Sequence, residues 1–266
     1  MKKISDLISL KGKCALVTGA TGGIGQEIAM TIAELGGNLI LVDLPGSNYD
    51  LLKRKLQENS EVNIDCVDCN LEIEKSRIEL IDQVLAQNTK LDILINNAAF
   101  VGDSNLDGWT DEFSKQTIET WNRAIAVNLT APFHLSQGFT PLLKNSGNGS
   151  IINIASIYGI NAPDYSLYKD TNMGNPAGYS ASKGGLIQLT RWLSSTVAPD
   201  IRVNAISPGG VLRNQPEQFI ELYEKRTPLG RMAAEDDFKG TIAFLASNLS
   251  KYVTGQNIVV DGGWIL

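Results

Sequence analysis

Thr18-Gly19-Ala20-Thr21-Gly22-Gly23-Ile24-Gly25 is the stretch on which the fold turns. It follows an apolar run, 14–18, with strand composition, and opens a segment, 25–35, with helical periodicity. A glycine-rich turn between strand and helix lets the backbone approach a pyrophosphate, whose charge is met by free N–H groups at the positive helix end. A glycine-rich turn without a ligand is the plainer alternative, and the strand-turn-helix context favours the phosphate site. Outward from this turn, apolar strand candidates recur at 38–42, 62–67, 93–96, 150–154, 202–206 and 258–260. Helical segments alternate with them at 49–59, 75–87, 117–143, 179–197, 215–223 and 234–246. The alternation predicts an α/β fold: a Rossmann-type, doubly wound, seven-stranded parallel sheet with helices on both faces. Neither a linker, a repeat nor a low-complexity block interrupts the series, so residues 1–266 are expected to form a single domain. Two segments rich in turn formers, 99–115 and 157–177, follow strands and belong at the carboxyl ends, where such sheets bind ligands.

Composition removes whole classes of chemistry. The 266 residues carry 23 Lys and Arg against 29 Asp and Glu, a net charge of −6 that disfavours a nucleic-acid or anionic-membrane surface. His134 is the single histidine, which excludes multi-histidine metal centres. Its apolar helical surroundings, Ala131-Pro132-Phe133-His134-Leu135, point to packing rather than to a serine-histidine triad. Cys14, Cys66 and Cys69 are too few for a disulfide framework. Cys66-Val67-Asp68-Cys69 has CxxC spacing but lacks the second pair or histidine a metal site needs, so no metal is expected. Met1-Lys2-Lys3 is followed by no sustained apolar run, and a cytoplasmic location is expected.

Asp43 closes the second strand 18 positions beyond Gly25, where a carboxylate accepts both hydroxyls of an adenosine ribose and repels a 2′-phosphate. Ala20, Thr21 and Leu44 supply no basic side chain nearby, so NAD is expected over NADP. Tyr179 and Lys183 stand four residues apart, on one helix face. A free phenol has a pKa near 10, and a neighbouring ammonium favours its ionised form. Ser156 ends the strand 150–154 and is able to donate a hydrogen bond to a developing alkoxide, or simply to cap a turn. Asn128 lies inside a long helical segment, where asparagine is a poor helix former, which suggests a special backbone or water-bridging role.

Together the TGxxxGxG turn and Asn128, Ser156, Tyr179 and Lys183 resemble the short-chain dehydrogenase/reductase family in its shorter form, in order and local sequence. Similar matches extend along the chain: Asn96-Asn97-Ala98, Ser207-Pro208-Gly209-Gly210-Val211, and Val253-Thr254-Gly255-Gln256 before Val260-Asp261-Gly262-Gly263. The resemblance implies that Tyr179 exchanges the substrate proton, Ser156 orients the reacting oxygen, Lys183 grips the nicotinamide ribose, and Asn128 holds a relay water. It implies a cofactor cradle of Gly19, Thr21, Gly22, Gly23, Ile24, Gly25, Asp43, Asp68, Cys69, Asn97, Ala98, Ala99, Tyr179, Lys183, Pro208, Gly209 and Val211. It further implies a homotetramer or homodimer and a mobile lid over residues 211–232.

Three departures bear on the substrate. Ala99 stands where the family usually has glycine, and Gly210-Val211-Leu212-Arg213-Asn214 lacks the family's threonine. The interval from Ser156 to Tyr179 spans 23 positions, about ten more than is usual in the shorter-form enzymes. This insert is rich in Asn, Asp, Lys and Tyr and is similar to the corresponding region of sugar-acting relatives, so a sugar-like small molecule is the expected substrate; a solvated surface loop is the alternative. Asp103, Asn105, Tyr158, Arg213 and Asn214 are candidates for the substrate opening, Arg213 as partner of an anionic group. The expected activity is NAD-dependent interconversion of a secondary alcohol and a ketone. Two alternatives stand beside it: a nucleotide-sugar epimerase or dehydratase with recycled NAD, using Asp164 or Asp170 as extra acid or base, and a non-catalytic NAD-sensing protein.

Overall fold

The computed structural model of the chain describes residues 2–101 and 106–266. A short helix, α1 (Ile4–Ile8), precedes β1 (Cys14–Thr18), α2 (Gly23–Glu34), β2 (Asn38–Asp43), α3 (Tyr49–Asn59), β3 (Ile64–Asp68), α4 (Glu74–Gln87) and β4 (Ile93–Asn96). The second half holds α5 (Ile118–Ile125), α6 (Ala131–Asn145), β5 (Gly149–Ile154), α7 (Ala177–Thr196), β6 (Ile201–Pro208), α8 (Glu217–Arg226), α9 (Lys239–Ala246) and β7 (Asn257–Val260). The strands make one parallel sheet in the order β3-β2-β1-β4-β5-β6-β7. Its order reverses between β1 and β4, so the two halves of the chain diverge there and leave a crevice at the carboxyl ends of the strands.

Side-chain alternation assigns each strand residue to one of two cores. Ala15, Val17, Leu39, Leu41, Ile93 and Ile95 pack against Ile28 and Ile32 of α2, Leu52 and Leu56 of α3, and Ile242 and Leu245 of α9. On the other face, Leu16, Ile40, Leu94 and Ile151 meet Leu80 and Val84 of α4 and Leu135 and Phe139 of α6. Because both faces are covered, the strands read as continuous apolar runs. The same alternation separates the CxxC pair: Cys66 packs on the α3 side and Cys69 on the α4 side, and burial pushes both thiols above their ordinary pKa.

Two helical expectations are corrected. Segment 117–143 is α5 and α6 joined by a π-helical turn, Ala126–Thr130, with Asn128 at its centre and fully buried. Segment 234–246 begins as a 3-10 turn, Glu235–Phe238, before α9. There the Asp237 carboxylate accepts the Ala234 N–H at 2.8 Å and both Arg231 guanidinium nitrogens at 2.6 and 2.7 Å, so the acidic run serves as a cap rather than as helix interior. His134 is half-buried and accepts a hydrogen bond from Nε of the buried Arg77 at 3.2 Å, a packing role. Among the described residues, no helix is long and apolar enough to cross a membrane.

Candidate active site

The glycine turn closes tightly at the end of β1. Gly19 takes a left-handed φ of +63°, and a methyl group at Gly25 would lie 2.0 Å from the Gly19 carbonyl oxygen, so only glycine fits at 25. β4 braces this turn from the side. Asn97 Nδ2 donates to the carbonyls of Thr18 and Gly19 at 2.9 and 3.0 Å, and the Thr18 hydroxyl accepts the N–H groups of Asn97 and Ala98 at 3.0 and 3.1 Å. Thus the Asn-Asn-Ala sequence after the fourth strand holds the phosphate turn in place.

From this turn a cleft of 780 Å³ runs along the carboxyl ends of the strands, from Asp43 at the tip of β2 to Ser156, Tyr179 and Lys183. Its wall includes Gly19, Thr21 to Gly25, Asp43, Cys69, Asn97 to Ala99, Pro208, Gly209 and Val211, nearly the whole cradle expected from the sequence. Asp68 is exposed and does not line it; Asn70 and Leu71, which carry no motif, do. Three donors orient the Asp43 carboxylate: Thr21 N–H and Oγ1–H onto Oδ2 and Leu44 N–H onto Oδ1, each at 2.8 Å. Open at its outer side, this carboxylate retains lone pairs for ribose hydroxyls.

At the other end of the cleft Ser156, Tyr179 and Lys183 come together, while Asn128 lies buried behind them. Lys183, 2% exposed, donates from Nζ to the Ile154 carbonyl at 2.7 Å and lies 5.8 Å from the centre of the Tyr179 ring. Burial pulls its ammonium down to about 7. Burial also raises the Tyr179 phenol above its ordinary value, and a hydrogen bond with the Ser156 side chain offsets part of that rise. Ser156 Oγ also accepts the Tyr158 N–H at 3.2 Å and caps the 3-10 turn Ile157–Gly159, the capping role weighed for it. Asn128 acts as a bracket: Oδ1 accepts the Phe100 N–H at 2.6 Å, while Nδ2 donates to the Phe100 carbonyl at 3.2 Å and to Ser182 Oγ at 3.1 Å. It ties the loop after β4 to α7, the helix that carries Tyr179 and Lys183.

Known proteins share this arrangement over the whole chain. The family model described as enoyl-(acyl carrier protein) reductase matches residues 19–265. The chain is 33% identical to the 3-oxoacyl-(acyl-carrier-protein) reductase FabG of Thermotoga maritima, over 97% of this chain and 99% of that one. The chain belongs to the short-chain dehydrogenase/reductase family. A short-chain dehydrogenase from Leptospira borgpetersenii, solved with bound NAD+, superposes with a TM-score of 0.84 at 34% identity, covering 100% of this chain and 97% of that one. A Beutenbergia cavernae protein described as an NAD(P)-dependent gluconate 5-dehydrogenase, solved with NADP, gives 0.85 at 28% identity over 97% and 98% of the two chains.

Within this short-chain dehydrogenase/reductase the insert before Tyr179 is partly exposed and anchored by apolar side chains. Its Leu167 is buried with Ile157, Phe219, Tyr223, Met232 and Trp264, and Tyr158, Tyr168 and Met173 pack on that cluster. Asp164 pairs with Arg226 of α8, whose guanidinium lies 4.3 Å from the centre of the Trp264 ring. The insert, α8 and the loop after β6 thereby line a second chamber of 250 Å³ that opens onto Ser156 and Tyr179. Its polar groups include Asn175, Gln215 and the phenols of Tyr158 and Tyr168, which share a hydrogen bond of 2.6 Å. Tyr158 and the insert's Tyr168 were legible as candidates; Asn175 and Gln215 were not, and Tyr223 was undecided, because aromatic and amide residues there read equally as core or surface. Neither Asp164 nor Asp170 lines the chamber or the cleft, so the extra acid or base of the dehydratase alternative is not in place. Arg213 lines the larger cleft and not this chamber. Asp103 and Asn105 lie outside the described residues.

Proposed function

We propose that this protein is an NAD(H)-dependent oxidoreductase that interconverts a secondary alcohol and a ketone on a compact sugar-like substrate, such as a sugar, amino sugar or sugar acid. The observation that carries the proposal is the position of Tyr179, which borders both the dinucleotide-sized cleft and the small chamber. The cleft residues Gly19, Thr21 to Gly25 and Asp43 would hold a nicotinamide dinucleotide, which when bound would supply or accept the hydride. Ser156 donates a hydrogen bond to the reacting oxygen, and Tyr179 delivers the proton to that oxygen on reduction or removes it on oxidation. Lys183, its Nζ 5.8 Å from the centre of the Tyr179 ring, would hold the ribose hydroxyls of the bound dinucleotide beside the phenol. Asn128 keeps the loop after β4 in register with α7.

Asp43 supports NAD as the partner. Its carboxylate is fixed at the strand tip by Thr21 and Leu44, and the residues around it carry no cation to hold a 2′-phosphate. Wild-type protein is expected to bind NADH about a hundredfold more tightly than NADPH, and Asp43→Ser is expected to weaken NADH by about ten- to a hundredfold, the worth of charge-assisted hydrogen bonds to the ribose. Fluorescence titration with both dinucleotides checks this; a wild-type preference for NADPH would refute the assignment.

A sugar-like substrate is supported by the chamber's mixture of ring faces with phenol and amide groups. Tyr158, Tyr168, Phe219 and Tyr223 offer apolar faces to the C–H surface of a ring, while hydroxyls, Asn175 and Gln215 answer its hydroxyl groups. The likeness to a protein described as a gluconate 5-dehydrogenase adds support. Keto-sugars and keto-sugar acids are expected to consume NADH faster than 3-oxoacyl thioesters in a direct absorbance comparison. Faster turnover of the thioesters would overturn the substrate class and leave the reaction class standing.

A further inference from the structure

Beyond β6 the chain is stitched to the segment that precedes the 3-10 turn Glu235–Phe238. Val211 bridges Ala233 in parallel, Leu212 N–H donates to the Ala233 carbonyl at 2.8 Å, and Ala233 N–H donates to the Gly210 carbonyl at 2.9 Å. Arg213 and Glu235 each stand two residues beyond this bridge, so their side chains emerge side by side, and Arg213 Nε donates to Glu235 Oε1 at 3.2 Å. Gln215 fixes the loop tip: its Oε1 accepts the Arg213 N–H at 2.7 Å and its Nε2 donates to the Val211 carbonyl at 2.8 Å. The ion pair rests on the phosphate turn itself. A methyl group at Gly23 would lie 2.7 Å from Glu235 Oε1 and 2.8 Å from Arg213 Nη2.

Gly23 is the first residue of α2, whose opening N–H groups carry the positive end of the helix dipole. Glu235 is the carboxylate that pairs with the Arg213 guanidinium, and both side chains lie against this helix end. We propose that Arg213 is a pyrophosphate-gripping arm, held over the glycine turn by Glu235 and transferred to the diphosphate of the dinucleotide when it binds. A diphosphate brings two negative charges and paired oxygens that match the guanidinium fork. The resident ion pair is half exposed and weak, so exchanging it costs little, and the displaced carboxylate turns to solvent.

The inference rests on the dinucleotide reading of the cleft, and titration with NADH, followed by its fluorescence, separates the two. Wild-type protein that binds no NADH would overturn both. With wild-type binding in hand, Arg213→Ala is expected to raise the NADH dissociation constant about ten- to thirtyfold, as for loss of a charged hydrogen-bonding partner. The isosteric Glu235→Gln is expected to leave it unchanged or lower it a fewfold, because the arm is released. Competition by adenosine, which has no phosphate, is expected to be unchanged in both variants. Equal weakening by the two substitutions would make the pair a structural staple and overturn the proposal; so would an unchanged dissociation constant in Arg213→Ala, or a parallel loss of adenosine binding.

Discussion

Tyr179→Phe is expected to lower kcat/KM by about 10²- to 10⁴-fold, the range attributable to a positioned general acid or base, with NADH affinity changed less than about twofold. The split follows from where the hydroxyl stands. The ring forms part of the wall between cleft and chamber, and phenylalanine preserves that wall. What disappears is the single proton donor that the geometry places beside Ser156 and the reacting oxygen. Burial keeps the phenol above its ordinary pKa, so it is protonated at neutral pH and ready to donate in carbonyl reduction. In alcohol oxidation the same group must first ionise, so the wild-type oxidation rate is expected to climb with pH through the neutral and mildly alkaline range. Phenylalanine removes that slope along with the rate. Steady-state kinetics in both directions, paired with NADH titration, check the expectation. An unaltered rate would remove Tyr179 from the reaction, and NADH affinity falling in step with turnover would make it a binding residue.

The cofactor half of the molecule was readable in the sequence for a physical reason. A parallel sheet covered on both faces writes its strands as apolar runs, and the crevice at its reversal point is framed by backbone, so glycines at 19, 22, 23 and 25 mark it directly. Asn128 also announced itself, since asparagine inside a helix demands a reason. The π-helical turn around it did not, because one widened turn barely alters apolar periodicity. The chamber was harder. Tyr168, Asn175 and Tyr223 come together only through packing of the insert on α8 and Trp264, contacts between residues far apart in the chain that no local pattern encodes. Arg213 shows the same limit on a smaller scale. Its loop was expected to border the opening, but the side chain's place beside Gly23 depends on a single bridge, Val211 to Ala233, between segments that no local pattern links.

Lys183→Met is expected to make the dinucleotide-free protein more stable at pH 7, by about 2 kcal/mol, while lowering kcat/KM by about 10²-fold or more. Lys183 is buried, and among the described residues no carboxylate pairs with it; one backbone carbonyl accepts its bond. The folded protein holds the ammonium near a pKa of about 7, against 10.5 for the ordinary side chain. Between those values the unfolded chain binds a proton that the folded chain does not, so stability rises with pH across that window. Below about 7 both states are protonated and the full cost of burying the cation is present. A shift of this size corresponds to about 5 kcal/mol as an upper figure, from which the orphaned Ile154 carbonyl subtracts about 1–3 kcal/mol in the methionine variant. Urea unfolding of both proteins at pH 7 and pH 9 checks this: the stability gap should narrow at the higher pH. A variant less stable than wild type at pH 7, or a gap independent of pH, would show that Lys183 bears no uncompensated charge. The opposite signs of the two effects distinguish a residue kept for chemistry from one kept for packing, since loss of a packing residue lowers stability and turnover together.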